Sequence, residues 1–171
     1  MLIRTFIFAG LIAALFSVSP RALAQGECST DKDAVCQYEV VKLCGATGQP
    51  AMTVEIADTF AKRERGLMHR ESLAEHQGMW FVYDQERPGY SGFWMFNTKI
   101  PLDIAYLDKS LKVVKTFTMR PCTSVNPRNC PAYRPGVSYW GALEMPAGYF
   151  AEQGIQQGTQ LQQCEKQEND R

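Results

Sequence analysis

The sequence has 171 residues, and its 18 lysines and arginines balance its 18 aspartates and glutamates, so that the formal net charge is zero. A balanced charge argues against a nucleic-acid partner, because nucleic-acid-binding domains carry a basic face. The length fits one ordinary domain.

The first residues carry an export pattern. Arg4 precedes an apolar run, and the segment from Ala22 to Ala24 is a small-x-small cleavage site. Together they predict a secretory signal peptide over residues 1–24, with a periplasmic or secreted mature protein. Pro20 interrupts the apolar run early, so we expect no membrane span after the signal is removed.

The next elements follow in chain order. Residues 25–50 are polar and contain cysteines, which predicts an N-terminal extension tied down by disulfides. From Thr53 to Ile56 apolar and polar residues alternate, which predicts a strand. Asp58 or Thr59 can then cap a short helix that ends at Gly66.

Several short strand-like runs follow, separated by turn residues. Their spacing favours an antiparallel β-sandwich or small barrel with one or two short helices, so the predicted fold class is mainly β, at the margin of α+β. We predict a single β-rich domain over 51–164 and a polar tail over 165–171. The predicted runs are 79–83, 93–96, 102–107, 111–119 and 139–145, followed by a helix within 147–153 and a last short strand.

Six cysteines follow the predicted signal peptide, and this even number fits an oxidising compartment. Cys122 and Cys130 bracket a proline-rich loop and are the predicted disulfide, a small ring that stabilises by about 2.5 kcal/mol. The pairing of the other four cysteines stays open. No C-x-x-C motif occurs, which argues against a thiol-disulfide oxidoreductase.

Five motifs stand in order along the chain: "RGLMHR" from Arg65 to Arg70, "GMWFVY", "GFWMFNTKIPLDIAYLD", the "PC" to "CPAY" loop, and "ALEMPAG". In this order they resemble domain-of-unknown-function family 192, over about residues 53–161. The resemblance implies a compact, mostly β fold with small helices. It implies no particular chemistry.

Candidate site residues begin with Arg65, which the helical period places at the edge of a buried face. Two acids stand on otherwise apolar strands, Asp103 and Glu144, and either could accept its guanidinium. One interpretation is a partly buried ion pair that fixes helix against sheet. The other is that these charges, with Arg70, line a cleft that binds an anionic or polyhydroxylated ligand.

Aromatic residues from Tyr90 to Phe96 cluster around Trp94, beside Asn97. Aromatic rings next to amides suit sugars, although a strand with apolar residues on both faces is also typical of a covered core strand. His69 and His76 lack ligand spacing for zinc, and no metal site or cofactor is predicted.

Two functional hypotheses follow. In the first, the protein is a non-catalytic domain that binds a carbohydrate, another small polar ligand or an envelope protein, through Arg65, Arg70, Trp94, Asn97, Asp103 and Glu144. In the second, it is a hydrolase of cell-envelope polymers that uses Asp103, Glu144 or His69 as acid or base.

Overall fold

The structure is a computed structural model that describes residues 28, 36–45 and 49–164. The predicted signal peptide and the predicted polar tail lie outside the described residues. No helix among the described residues is long and apolar enough to span a membrane.

The fold is mainly β, with two short α-helices, as predicted. The β-strands are β1 Val40–Cys44, β2 Met52–Ala57, β3 Gln77–Arg87, β4 Phe93–Trp94, β5 Leu102–Leu107, β6 Val113–Met119, β7 Ala132–Tyr133, β8 Tyr139–Pro146 and β9 Gln162–Gln163. The helices are α1 Phe60–Arg65 and α2 Tyr149–Glu152, and a 3-10 turn spans Pro127–Asn129.

Seven strands form one sheet in the order β6-β5-β8-β3-β2-β1-β9, and β4 and β7 form a small second sheet. Neighbouring strands are antiparallel except for β2 and β3. β2 and β3 are parallel because α1 carries the chain across the sheet and returns it in the same direction. β1 lies inside the stretch predicted as an extension, and it pairs with β2 as part of the sheet.

The predicted helix boundaries are confirmed for α1. The hydroxyl of Thr59 accepts from the backbone N–H of Lys62 at 3.3 Å and caps the first turn. At the other end Gly66 has φ 47°, and its N–H donates to the carbonyl of Lys62 at 2.8 Å. A left-handed residue here favours glycine, which explains why the helix ends at this position.

Each face of the large sheet has its own core. The face on the side of α2, the α2 face, includes Val54, Trp80, Ala105 and Leu143, which pack with Tyr149 and Phe150 of α2. The opposite face, the α1 face, is covered by residues of the α1–β3 and β4–β5 connections. Its core includes Met79, Ile104, Ala142, Leu67 and Met95.

The large sheet curls into a half-barrel, because one C-terminal segment reaches both of its edges. Gln160 bridges to Lys112 beside β6, and Gln162 and Gln163 pair with β1. A disulfide between Cys44 and Cys164 fixes this closure. The predicted Cys122–Cys130 disulfide is confirmed, and the third joins Cys28 to Cys36.

Candidate functional site

A small cleft lies beside the end of α1 and has a volume of about 240 Å³. We refer to it as the arginine cleft, because Arg65 and Arg70 both line it. The described residues that line it are Cys36, Tyr38, Arg65, Gly66, Met68, His69 and Arg70.

The local sequence explains how two arginines come to the same opening. After Gly66 ends the helix, Leu67 enters the core of the α1 face with 2% of its surface exposed. The backbone then turns back, with the N–H of Met68 donating to the carbonyl of Arg65 at 3.1 Å. The buried Leu67 therefore anchors the segment, and the cations on either side of it remain at the surface.

Arg70 is held in place by a carboxylate. Its guanidinium forms a two-pronged ion pair with Glu55, in which Nη1 donates to Oε1 at 3.0 Å and Nη2 donates to Oε2. Glu55 stands on β2 and points to the α1 face, since Val54 and Ile56 pack on the other side. The pair fixes the fork of Arg70 at the cleft wall.

Arg65 has no acidic partner among the described residues. Two other nearby cations have carboxylate partners, since Lys62 binds Asp58 at 2.9 Å and Lys99 binds Glu71. The predicted pairing of Arg65 with Asp103 or Glu144 is wrong. Among the described residues, the guanidinium of Arg65 therefore brings a positive charge without a carboxylate partner to the cleft.

Tyr38 contributes a polar atom without a partner. Within the described part of the chain, its buried hydroxyl makes no hydrogen bond. Burial raises the pKa of Tyr38, while the positive charge of Arg70 acts in the opposite direction. A buried hydroxyl without a partner is unfavourable in a folded protein, and this one belongs to a residue of the cleft.

His69 and Asn97 both adopt left-handed backbone conformations, with φ 65° and 57°. The N–H of His69 donates to the carbonyl of Asn97 at 2.8 Å. Asn97 tolerates this conformation better than His69, whose strain is of the kind that clusters at functional sites. This contact places the predicted residue Asn97 next to the cleft lining.

Asp103 serves the fold on the α2 face. Its carboxylate accepts from the hydroxyl of Thr118 at 2.7 Å and from the backbone N–H groups of Gly148 and Phe150, each at 3.0 Å. These bonds join β5, β6 and the start of α2. With 3% of its surface exposed, Asp103 lies away from the arginine cleft.

Glu144 lies on the opposite face from Asp103. It is directly across from Ile104, whereas Asp103 is across from Met145, and adjacent positions on a strand point to opposite faces. Glu144 is 4% exposed, and no partner of its carboxyl group is found among the described residues. Burial alone raises the pKa of Glu144 to about 8.

The catalytic set of the hydrolase hypothesis is therefore not assembled. Asp103 and Glu144 are on opposite faces of the sheet and cannot act on one glycosidic bond. His69 lines the arginine cleft, and neither of these acids does.

The predicted aromatic cluster is divided between the core and the surface. Phe93 packs inward, with ring centroids 4.8 Å from Phe81 and 5.7 Å from Tyr106. Trp94 is 46% exposed and lies against Phe96 at 5.6 Å. Trp94 does not line the arginine cleft.

Two residues of this region were missed by the sequence reasoning. Tyr38 lay within the predicted extension, where no regular pattern marked it. Glu55 could have been found, because it is the acidic member of the alternating 53–56 strand immediately before α1. No group of three or more potential metal ligands occurs among the residues that the structure describes.

These features define the class of the protein as a disulfide-linked, mainly β domain of an oxidising, non-cytoplasmic environment. The chain belongs to the DUF192 family, whose model, described as Uncharacterized ACR, matches residues 43–163. The resemblance recognised in the five motifs is thereby confirmed. No curated protein sequence matches the chain.

Two solved structures are similar to this chain. A protein of Sinorhizobium meliloti 1021, described as a candidate transcription regulator, is 28% identical with a TM-score of 0.64, and the match covers 74% of this chain and 95% of that one. A protein of unknown function from Novosphingobium aromaticivorans DSM 12444 is 26% identical with a TM-score of 0.54, and the match covers 80% of this chain and 93% of that one.

Proposed function

We propose that the protein is an exported, non-catalytic binding domain. Its arginine cleft holds a small polar or carbohydrate-like ligand, either free or displayed on an envelope protein or polymer. The signal-peptide pattern over residues 1–24 supports a periplasmic or secreted location.

The observation that carries the proposal is that Arg65 lines a concave opening and has no carboxylate partner among the described residues. An arginine is always charged and presents several N–H donors in one plane, which suits recognition of polar and anionic groups. Arg70 is already oriented by Glu55, so one wall of the cleft is fixed before a ligand arrives. Preorganised donors lower the entropic cost of binding.

A role in transcription is not adopted from the Sinorhizobium protein. The net charge of this chain is zero, which offers no general attraction for DNA. Three disulfides also fit an oxidising compartment better than the cytoplasm.

The proposal is tested by ligand screening with the oxidised protein. Neutral sugars, acidic sugars, amino acids and short peptides are added in millimolar amounts, and the melting temperature is followed. We expect at least one compound to stabilise the wild type, and Arg65→Gln and Arg70→Gln to reduce that shift.

Arg128→Gln is the matched control, because Arg128 is exposed in the 3-10 turn and does not line the cleft. Trp94→Ala tests the separate surface around the exposed tryptophan. No stabilisation by any compound, or stabilisation that only Trp94→Ala removes, would refute the assignment to the arginine cleft.

A further inference from the structure

We infer that the arginine cleft recognises a single carboxylate, carried by a ligand the size of one sugar ring or one amino acid. This inference rests on the proposed binding function and specifies its ligand class. It comes from the charges, the geometry and the size of the cleft.

Of the two arginines that line the cleft, Arg70 has a carboxylate partner, and Arg65 has none among the described residues. Lys62, Arg70 and Lys99 each have a carboxylate partner. Arg63 instead donates to the backbone carbonyls of Asp58 and Val82. Within the described residues Arg65 keeps an unpaired positive charge, and a ligand with one negative charge pairs with it.

A phosphate group matches this arrangement less well. A phosphomonoester carries a charge of about −1.5 to −2 at neutral pH. A dianion in this cleft would meet the guanidinium of Arg65, whereas both terminal nitrogens of Arg70 are already bound to Glu55. The carboxylate of Glu55 therefore acts against a second negative charge, because like charges at short range repel.

The geometry of the Arg70–Glu55 pair shows why a carboxylate suits Arg65. Both nitrogens of Arg70 bind both oxygens of Glu55, which is the planar, two-pronged arrangement that guanidinium and carboxylate groups prefer. Arg65 presents the same group in the same cleft, and none of the described residues forms such a pair with it. A ligand carboxylate would form with Arg65 the same two-pronged ion pair that Glu55 forms with Arg70.

The volume limits the rest of the ligand. About 240 Å³ is below the ~300–1,000 Å³ range of pockets that hold drug-sized ligands. A uronic acid or a single terminal amino acid is of suitable size. Tyr38, Met68 and His69 provide the remaining walls, which combine apolar surface with polar edges.

The test compares three probes that differ mainly in charge: D-glucose, D-glucuronate and D-glucose 6-phosphate, each titrated calorimetrically into the oxidised protein. N-acetylglycine is a fourth probe, which separates an amino-acid carboxylate from a sugar carboxylate. We expect a carboxylate probe to bind at least about tenfold more tightly than glucose, since a charge-assisted pair is worth more than about 1.4 kcal/mol. Glucose 6-phosphate is expected to bind more weakly than glucuronate.

Two variants at Arg65 separate charge from shape. Arg65→Gln is expected to abolish the preference for the carboxylate probes. Arg65→Lys keeps the charge but loses the two-pronged geometry, so it is expected to restore binding only in part. Full restoration by lysine would overturn the claim that the carboxylate is bound by the planar fork.

Glu55→Gln provides an independent test, because it is expected to strengthen the binding of a dianionic probe. This change releases Arg70 and gives the cleft a second free cation, so the affinity for glucose 6-phosphate is expected to rise by about tenfold relative to glucuronate. Glu64→Gln is the matched control, because Glu64 is exposed on α1 and does not line the cleft.

The outcomes distinguish this inference from the broader proposal. If glucose binds as tightly as glucuronate and Arg65→Gln weakens both, the binding function stands and the carboxylate inference is wrong. Tighter binding of glucose 6-phosphate by the wild type would also overturn the inference. If no probe and no compound of the wider screen binds, both fail.

Discussion

Glu144→Gln is expected to change the way in which stability depends on pH. In the folded protein the carboxyl of Glu144 is buried between Met79 and Ile104, and burial raises its pKa from 4.5 to about 8. In the unfolded chain it recovers an ordinary pKa. As pH rises from about 4.5 the unfolded state releases this proton first, so the free energy of unfolding decreases until the folded pKa is reached.

The size of the effect follows from the shift. Each pKa unit corresponds to about 1.4 kcal/mol. A pKa raised from 4.5 to about 8 therefore lowers the free energy of unfolding by about 5 kcal/mol as the pH rises through this range. Glutamine has nearly the same shape and cannot ionise. The variant should match the wild type to within about 1 kcal/mol near pH 4 and exceed it by several kcal/mol near pH 8.

The assay is urea unfolding of the oxidised wild type, Glu144→Gln and the exposed control Glu64→Gln at several pH values from 4 to 9. The informative quantity is the difference in the free energy of unfolding between wild type and variant, because the contributions of the other titrating groups are the same in both proteins and cancel. Parallel curves for wild type and Glu144→Gln would show that Glu144 is ionised in the folded protein at neutral pH, which would refute the account of its burial.

The remaining predictions concern the scaffold. Replacing Cys44 and Cys164 by serine should cost about 5 kcal/mol in the loop-entropy account, since their separation is 120 residues. The matched pair Cys122 and Cys130, with a separation of 8, should cost about 2.5 kcal/mol, and equal losses in denaturant unfolding would contradict this reasoning. Asp103→Ala leaves the N–H groups of Gly148 and Phe150 without their acceptor and should lower the free energy of unfolding by about 3 kcal/mol. The folded variant should bind ligand with unchanged affinity, and weaker binding by the fully folded variant would place Asp103 in the binding site. Gly66→Ala should destabilise the fold by about 1–2 kcal/mol, because φ of Gly66 is 47° and the added methyl group lies 3.3 Å from the ring of Phe81. An unchanged melting temperature would show that this strain is absent.

Local patterns in the sequence were enough to predict much of the fold. Alternation identified the strand around Val54, and the cap and the glycine on either side of α1 marked its ends. Because Cys122 and Cys130 flank one short loop, their disulfide could be predicted from the sequence. Each of these features depends on residues that are close together in the chain.

The unpredicted features depend on contacts between distant segments. Whether Asp103 and Glu144 share a face depends on the register of β5 against β8, which neither strand specifies alone. The Glu55–Arg70 pair requires the parallel crossover through α1, and the Cys44–Cys164 disulfide joins the neighbouring strands β1 and β9, which are far apart in the sequence. Of the predicted residues, Arg65 and Arg70 therefore line the candidate cleft, while Asp103 and Glu144 are buried in the core.

We propose that the guanidinium of Arg65, which has no carboxylate partner among the described residues, binds a ligand at the arginine cleft. Nitrogen NMR of the arginine side chains measures this most directly, with D-glucuronate titrated into the oxidised protein. The account predicts that the Arg65 side-chain signal shifts in a saturable way, with smaller shifts for the Arg70 side chain and the His69 amide and none for Arg128. Saturable binding that moves the signals around Trp94 and leaves Arg65 unchanged would contradict it.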